Sequence, residues 1–225
     1  MIGEPRTIAR ILELIHLPVQ HGPDVLRDVY LAISSSCGYD NFIRMADGAR
    51  LETASSQGGG FSRVTFGSDR IVLHEEHNNV GVETFLRRAQ EVLRVSTEKV
   101  AIPVLVCRNV TLRAVASVPG GRTAPQFLGE NLIRISDEEF QKFGRPGGVI
   151  GLRMHFPPAD MRGGLHQVRV ESYLRDPRSV FLEDVASFKM PLQGRDMGKL
   201  GEELMETEDF LHERVVGFLG QFPRA

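Results

Sequence analysis

Tryptophan is absent from the 225 residues, and only two cysteines occur, Cys37 and Cys107. The first absence removes a common stacking platform for single-stranded nucleic acids or sugars. The second excludes a disulfide framework and fits a reducing compartment. Lysine is scarce as well: Lys99, Lys142, Lys189 and Lys199 are the only ones among 27 basic residues, the rest being arginine. This reads as a compositional bias of the source genome, because arginine recognition of carboxylate or phosphate needs clustering that a sequence does not display. No apolar run approaches the roughly 20 residues that cross a bilayer. The N-terminal stretch places Glu4 and Arg6 before a short amphipathic segment and lacks the apolar centre of a secretion signal. Neither charge is in excess, with 27 basic against 29 acidic residues, which argues against a general electrostatic nucleic-acid binder. The expectation is a bacterial, cytoplasmic protein with no membrane association.

What the chain does contain is one order of elements run twice. An extended segment at Ile8–Val19 leads into a helical stretch, Asp24–Ser35. Strands at Phe61–Phe66 and Arg70–His77 follow, and an amphipathic helix at Gly81–Val95 closes the unit. The order recurs as Val104–Val118, a helical stretch at Ala124–Arg134, strands at Val149–Phe156, Leu165–Arg175 and Ser179–Phe188, and a long helix at Met197–Leu219. Two units are therefore expected, residues 1–100 and 101–225, packed together as one body. In the helix Gly81–Val95, Phe85, Leu86, Ala89, Val92 and Leu93 recur at helical spacing, with Glu83, Arg87, Arg88 and Glu91 on the other face. The strands alternate: Val168 and Val170 against Arg169, Glu171, Tyr173 and Arg175, and Leu152, Met154 and Phe156 against Arg153 and His155. The fold class read from this is α+β, two related β-α-β-β-(β)-α units whose antiparallel sheets lie side by side or join, covered by helices on one face. Acidic residues crowd the first half of the last helix (Glu202, Glu203, Glu206, Glu208, Asp209), which reads as a surface helix. The stretch Ala54–Gly60 reads as a mobile loop.

The run Arg70-Ile-Val-Leu-His-Glu-Glu followed by Phe85, together with Val110-Thr-Leu-Arg113, resembles a patchily distributed family of uncharacterised bacterial proteins of about 250 residues. The resemblance covers most of the chain, which lacks the Pro-Pro-Ile-x-Glu-Ala-like start of that family. It implies no activity and no catalytic residues.

Candidate chemistry is sparse. His74 and Glu76 fall on one face of a strand, and a third ligand from His155 or His166 would complete a metal site. Glu171, Asp176, Glu183 and Asp184 form the densest acidic group of the second unit. Arg169, Arg175 and Arg178 interleave with them, so cross-strand ion pairing explains them more simply than acid–base work. The glycine stretches Gly58–Gly60, Pro119–Arg122 and Arg145–Gly148 match neither a P-loop nor a dinucleotide fingerprint, and turn chemistry explains all three. Ser34–Cys37 reads as a helix end, and Cys107 as a small buried hydrophobe.

The leading expectation is a non-catalytic cytoplasmic binding or scaffold protein. It would use an open sheet face or edge strands, with a homodimer as the expected assembly and no cofactor. Its binding residues would be Arg153, His155, Arg169, Glu171, Tyr173 and Arg175. One alternative is a small-molecule binder with a cavity between the sheet and the C-terminal helix, beneath Leu200, Leu204 and Leu211. The other is a metal-dependent hydrolase using His74 and Glu76.

Overall fold

The computed structural model describes residues 2–53, 60–77, 80–100, 102, 104–135, 137–145, 150–193 and 196–222. Among these, one antiparallel sheet of ten strands dominates. Strand β1 (Arg6–His16) is followed by helix α1 (Pro23–Cys37), the meander β2 (Asn41–Met45), β3 (Gly48–Glu52), β4 (Phe61–Phe66) and β5 (Arg70–Glu76), and helix α2 (Val82–Lys99). β1 then lies beside β5, the last strand of that meander. The second half runs in a comparable order, with three strands where the first has a meander of four. β6 (Val104–Ser117) leads through the short helices α3 (Ala124–Leu128) and α4 (Asp137–Gln141) into β7 (Gly151–Phe156), β8 (Leu165–Ser172) and β9 (Ser179–Phe188). β9 returns beside β6, and a final two-residue strand, β10 (Leu192–Gln193), also pairs with β6. β1 and β6 are antiparallel neighbours over most of their length, so the two halves share one sheet with the order β2-β3-β4-β5-β1-β6-β9-β8-β7. The α+β reading holds, and the sheets join rather than lie side by side.

Strand alternation decides what faces the helices. Leu12 and Leu14 of β1, Val64 and Phe66 of β4, Ile71 and Leu73 of β5, and Leu182 and Ala186 of β9 all point to the helical layer and are buried. They form two apolar clusters, one under α1 and α2, the other under α3 and the chain end. The C-terminal helix bridges them. Its first part, α5 (Met197–Asp209), places Leu200 and Leu204 in the first cluster. It continues through a π-helical turn, Phe210–Val215, into α6 (Val216–Gly220), placing Leu211, Val215 and Leu219 in the second. Fully burying one such leucine contributes about 2 kcal/mol.

Several sequence expectations change. β2 and β3 have no counterpart in the sequence reading, because Asn41–Glu52 breaks alternation with adjacent apolar residues and a hairpin at Ala46 and Asp47. The strand expected through Arg175 stops at Ser172, where Asp176 caps a turn: its carboxylate accepts from Arg178 N at 3.0 Å and from Ser179 Oγ at 2.6 Å. The acidic C-terminal helix is not a surface helix, since Glu203, Thr207 and Glu208 are buried against the sheet. Cys107 is half-buried rather than in the core. The loop expected at Ala54–Gly60 and the glycines of Arg145–Gly148 fall largely outside the described residues. No described helix is long and apolar enough to cross a membrane.

Candidate functional site: an open sheet face and a buried polar seam

All helices that pack on the sheet do so on one face. On the other, no described helix or strand forms a second layer, and Ile11, Ile15, Val72 and Val185 belong to neither buried cluster. Register places Ile11, Thr111 and Val185 side by side across β1, β6 and β9, at the middle of the sheet. Charged side chains are interleaved with these residues, Glu13 lying between Ile11 and Ile15, and are largely neutralised in place. Arg70 bonds Glu13 at 2.6 Å, Arg113 bonds Glu183 at 2.6 Å, and Arg50 lies 3.0 Å from Glu52. Glu13 also accepts from Asn109 at 2.6 Å. Arg63 lies over the Phe61 ring at 3.7 Å, a cation–π contact.

The residues expected to bind lie at the β7–β8 end of this face. Arg153 and Arg169 are register partners, and His155 sits opposite Gln167. Arg169 reaches Glu183 at 3.2 Å and Glu171 at 3.6 Å, and its guanidinium lies 4.9 Å from the Phe181 ring centre. Of the acidic group, Glu183 pairs cross-strand with Arg169 as expected, whereas Glu171 meets Arg169 along its own strand, Asp176 caps a turn, and Asp184 faces inward. Tyr173 lies just past the end of β8, stacked on Phe181 at 6.3 Å. Arg175 is exposed in the turn that follows, outside β8. His74 and Glu76 do share a face, 3.1 Å apart. The third ligand is not brought to them. His155 lies five strands away, about 24 Å at ~4.8 Å per strand, and His166 points to the opposite face. No group of three metal-ligating side chains occurs among the described residues. Burial lowers the His74 pKa, with nearby Arg63 and Arg113 adding to this and Glu76 opposing it.

On the helical side, the gap between the two apolar clusters is filled by ionisable pairs. Arg108 is held by both oxygens of Glu203 and by the Met190 carbonyl, with both charged side chains fully buried. Arg10 donates to Glu208 at 2.5 Å and to the Val80 carbonyl at 2.8 Å. Thr7 Oγ1 is 3.2 Å from His212 Nε2. His166 Nδ1 lies 2.7 Å from Asp184, its Nε2 faces Glu206 at 3.5 Å, and its ring stacks on Phe210 at 4.0 Å. Burial opposes charge on His166, yet the Asp184 and Glu206 carboxylates outweigh it and raise its pKa. Burial raises the pKa of Asp184. This imidazole borders a surface cleft of about 500 Å³ walled by Phe156, Pro157, Arg162 and Lys199, whose described lining supplies no hydroxyl or thiol nucleophile. The Asp–His pair orients an imidazole as in hydrolases, but its reach ends on Glu206.

The sequence reading missed this seam. Its signal was present: Glu203 and Thr207 fall inside the apolar stripe Leu200, Leu204, Leu211, and Asp184 falls among the inward Leu182 and Ala186. The Pro119–Arg122 turn leads into a helix whose cap is closed by its own Thr123 and Gln126, so its N–H groups are not free for an anion.

Fold and site together define an antiparallel α+β sheet protein with one helical and one uncovered face. No protein-family model matches the chain, and no similar curated protein was found, so the resemblance stated above stays an expectation.

Proposed function

We propose that this is a non-catalytic binding or scaffold protein that takes a second copy of itself on the uncovered face of its sheet. The observation that carries this reading is the set of half-buried apolar side chains Ile11, Ile15, Val72 and Val185 on the face that no described helix covers, interleaved with the Arg70–Glu13 and Arg113–Glu183 ion pairs. A mixture of apolar and polar groups is the composition of a non-obligate protein–protein interface. The charge on the face argues for the occupant. Arg50, Arg63, Arg70, Arg113, Arg153 and Arg169 stand against Glu13, Glu52, Glu76, Glu171 and Glu183. A near-neutral face gives little attraction to a polyanion, but it suits an isologous contact in which the same surface meets itself.

The alternative of a cavity beneath the C-terminal helix has less behind it. Leu200, Leu204 and Leu211 are packed fully into the core, and the cleft that does lie between the sheet and this helix, lined by His166, Lys199, Glu206 and Phe210, is an open surface cleft that does not include those leucines. Val72→Glu and Val185→Glu put charge into the uncovered face without removing core contacts. They are expected to weaken self-association at least tenfold by sedimentation while leaving the far-ultraviolet circular dichroism unchanged. Unchanged association in both variants contradicts the proposal.

A further inference from the structure

At the opposite end of the molecule from β7, strand β2 is the free edge of the sheet among the described residues. Register shows which of its backbone groups are unused. The two-residue turn between Met45 and Gly48 makes that pair the hydrogen-bonded kind, so Ile43 and Asn41 also exchange their bonds with β3. Phe42 and Arg44 alternate with them and therefore direct their N–H and C=O groups outward, away from β3. The side chains of these same two residues point toward the helical layer. There they meet α1 in a cleft of about 380 Å³ lined by Asp24, Arg27, Tyr30, Leu31, Phe42 and Arg44. A second cleft of about 340 Å³ shares Phe42 and Arg44 and extends past Met45 to Val19 and Leu26. A groove thus runs between a free strand edge and a helix. Leu31 is 64% exposed and Met45 39%, and the Phe42 ring rests against Tyr30 at 5.6 Å.

We infer that this groove binds an extended acidic peptide, which adds to β2 as a further antiparallel strand. Its backbone would pair with Phe42 and Arg44. Alternate side chains would enter the groove, an apolar one against Leu31 and Phe42 and a carboxylate between Arg27 and Arg44. Backbone pairing on a free edge with pockets for alternate side chains is a recurrent mode of peptide recognition. Charge in the first cleft selects the acidic class: Arg27 and Arg44 form no ion pair among the described residues and face Asp24 alone there, Asp47 lying in the second cleft. This site is separate from the uncovered face and does not depend on how that face is used.

The test uses the full chain and a fluorescent nonapeptide, Ser-Thr-Glu-Thr-Val-Thr-Glu-Thr-Ser, with a control in which both Glu are Lys. The acidic peptide is expected to bind at least tenfold more tightly than the control and to slow amide exchange at Phe42 and Arg44 selectively. Arg44→Glu is expected to lower affinity at least tenfold. Arg44→Pro removes the outward N–H together with the guanidinium, at a position where edge strands tolerate proline, and is expected to do the same with the fold intact by circular dichroism. Equal binding of both peptides overturns the proposal, as does unchanged exchange at Phe42 and Arg44 at 1 mM acidic peptide, taken as about 100-fold above a 10 µM Kd. Protection of these amides that rises with protein concentration alone also overturns it, by assigning the edge to pairing between copies.

Discussion

At the scale of single residues, the buried seam carries the sharpest consequences. Arg108 and Glu203 are fully buried and matched in two parallel contacts. Removing one partner leaves an uncompensated charge in the core, which costs about 3–5 kcal/mol, whereas replacing both with apolar residues is often neutral. Glu203→Gln is therefore expected to lower unfolding free energy by about that amount in urea denaturation, and Arg108→Met with Glu203→Leu by much less. A double variant as damaged as the single would show that the pair itself stabilises the fold. His166 gives a second test. Its raised pKa, held up by Asp184 and Glu206, and the raised pKa of Asp184 both mean that the folded state keeps protons that the unfolded chain releases. Stability from His166 is thus fully present below its ordinary value of 6.5 and is lost as pH rises through the folded-state value. His74 and His212, lowered by burial, act in the opposite sense, costing stability below that same 6.5. An imidazole NMR titration is expected to find His166 more than half protonated at pH 6.5 and the other two less than half. Asp184→Asn should bring His166 down; a His166 that already titrates below 6.5 in the unaltered protein refutes the seam's electrostatics.

Among elements, the hairpins set the sheet's register and the long helix ties its halves. A Cβ on Gly48 would lie 1.8 Å from the Phe66 carbonyl oxygen, a backbone atom that cannot move aside cheaply. Gly48→Ala is expected to destabilise by about 1–3 kcal/mol. On Gly217, in the last helical turns, a Cβ would meet nothing within 4 Å, so Gly217→Ala is expected to stabilise by up to about 1 kcal/mol. Opposite signs in chemical denaturation check both, and equal signs contradict the packing described. Elements with strict periodicity were readable in advance: α2 from its stripe of Phe85, Ala89 and Val92, and β8 from Val168 and Val170. β2 and β3 were not, since five-residue strands joined by a two-residue turn show too few alternations to stand out. The polar seam was hidden for a different reason. Its partners are far apart in sequence, 95 positions for Arg108 and Glu203 and 198 for Arg10 and Glu208. Position in a stripe can flag a buried charge, but only the fold supplies its counter-ion.

For the molecule as a whole, the pairing of β1 with β6 turns two similar halves into one wide sheet, and the helices cover one side of it. Half-buried apolar side chains on the side that no described helix covers are what the proposed self-association would bury. The sequence pointed to strands that alternate between a covered apolar face and a polar one. The placing of Ile11, Thr111 and Val185 in one cross-strand row depends on register, which pattern alone does not specify. The β2 groove adds an edge at which a peptide can join the same sheet.

The central claim is that the uncovered face takes a second copy, and sedimentation equilibrium of the unaltered protein over a wide concentration range tests it most directly. The account predicts a reversible species of twice the 25.1 kDa chain mass. A single 25.1 kDa species at every concentration contradicts it.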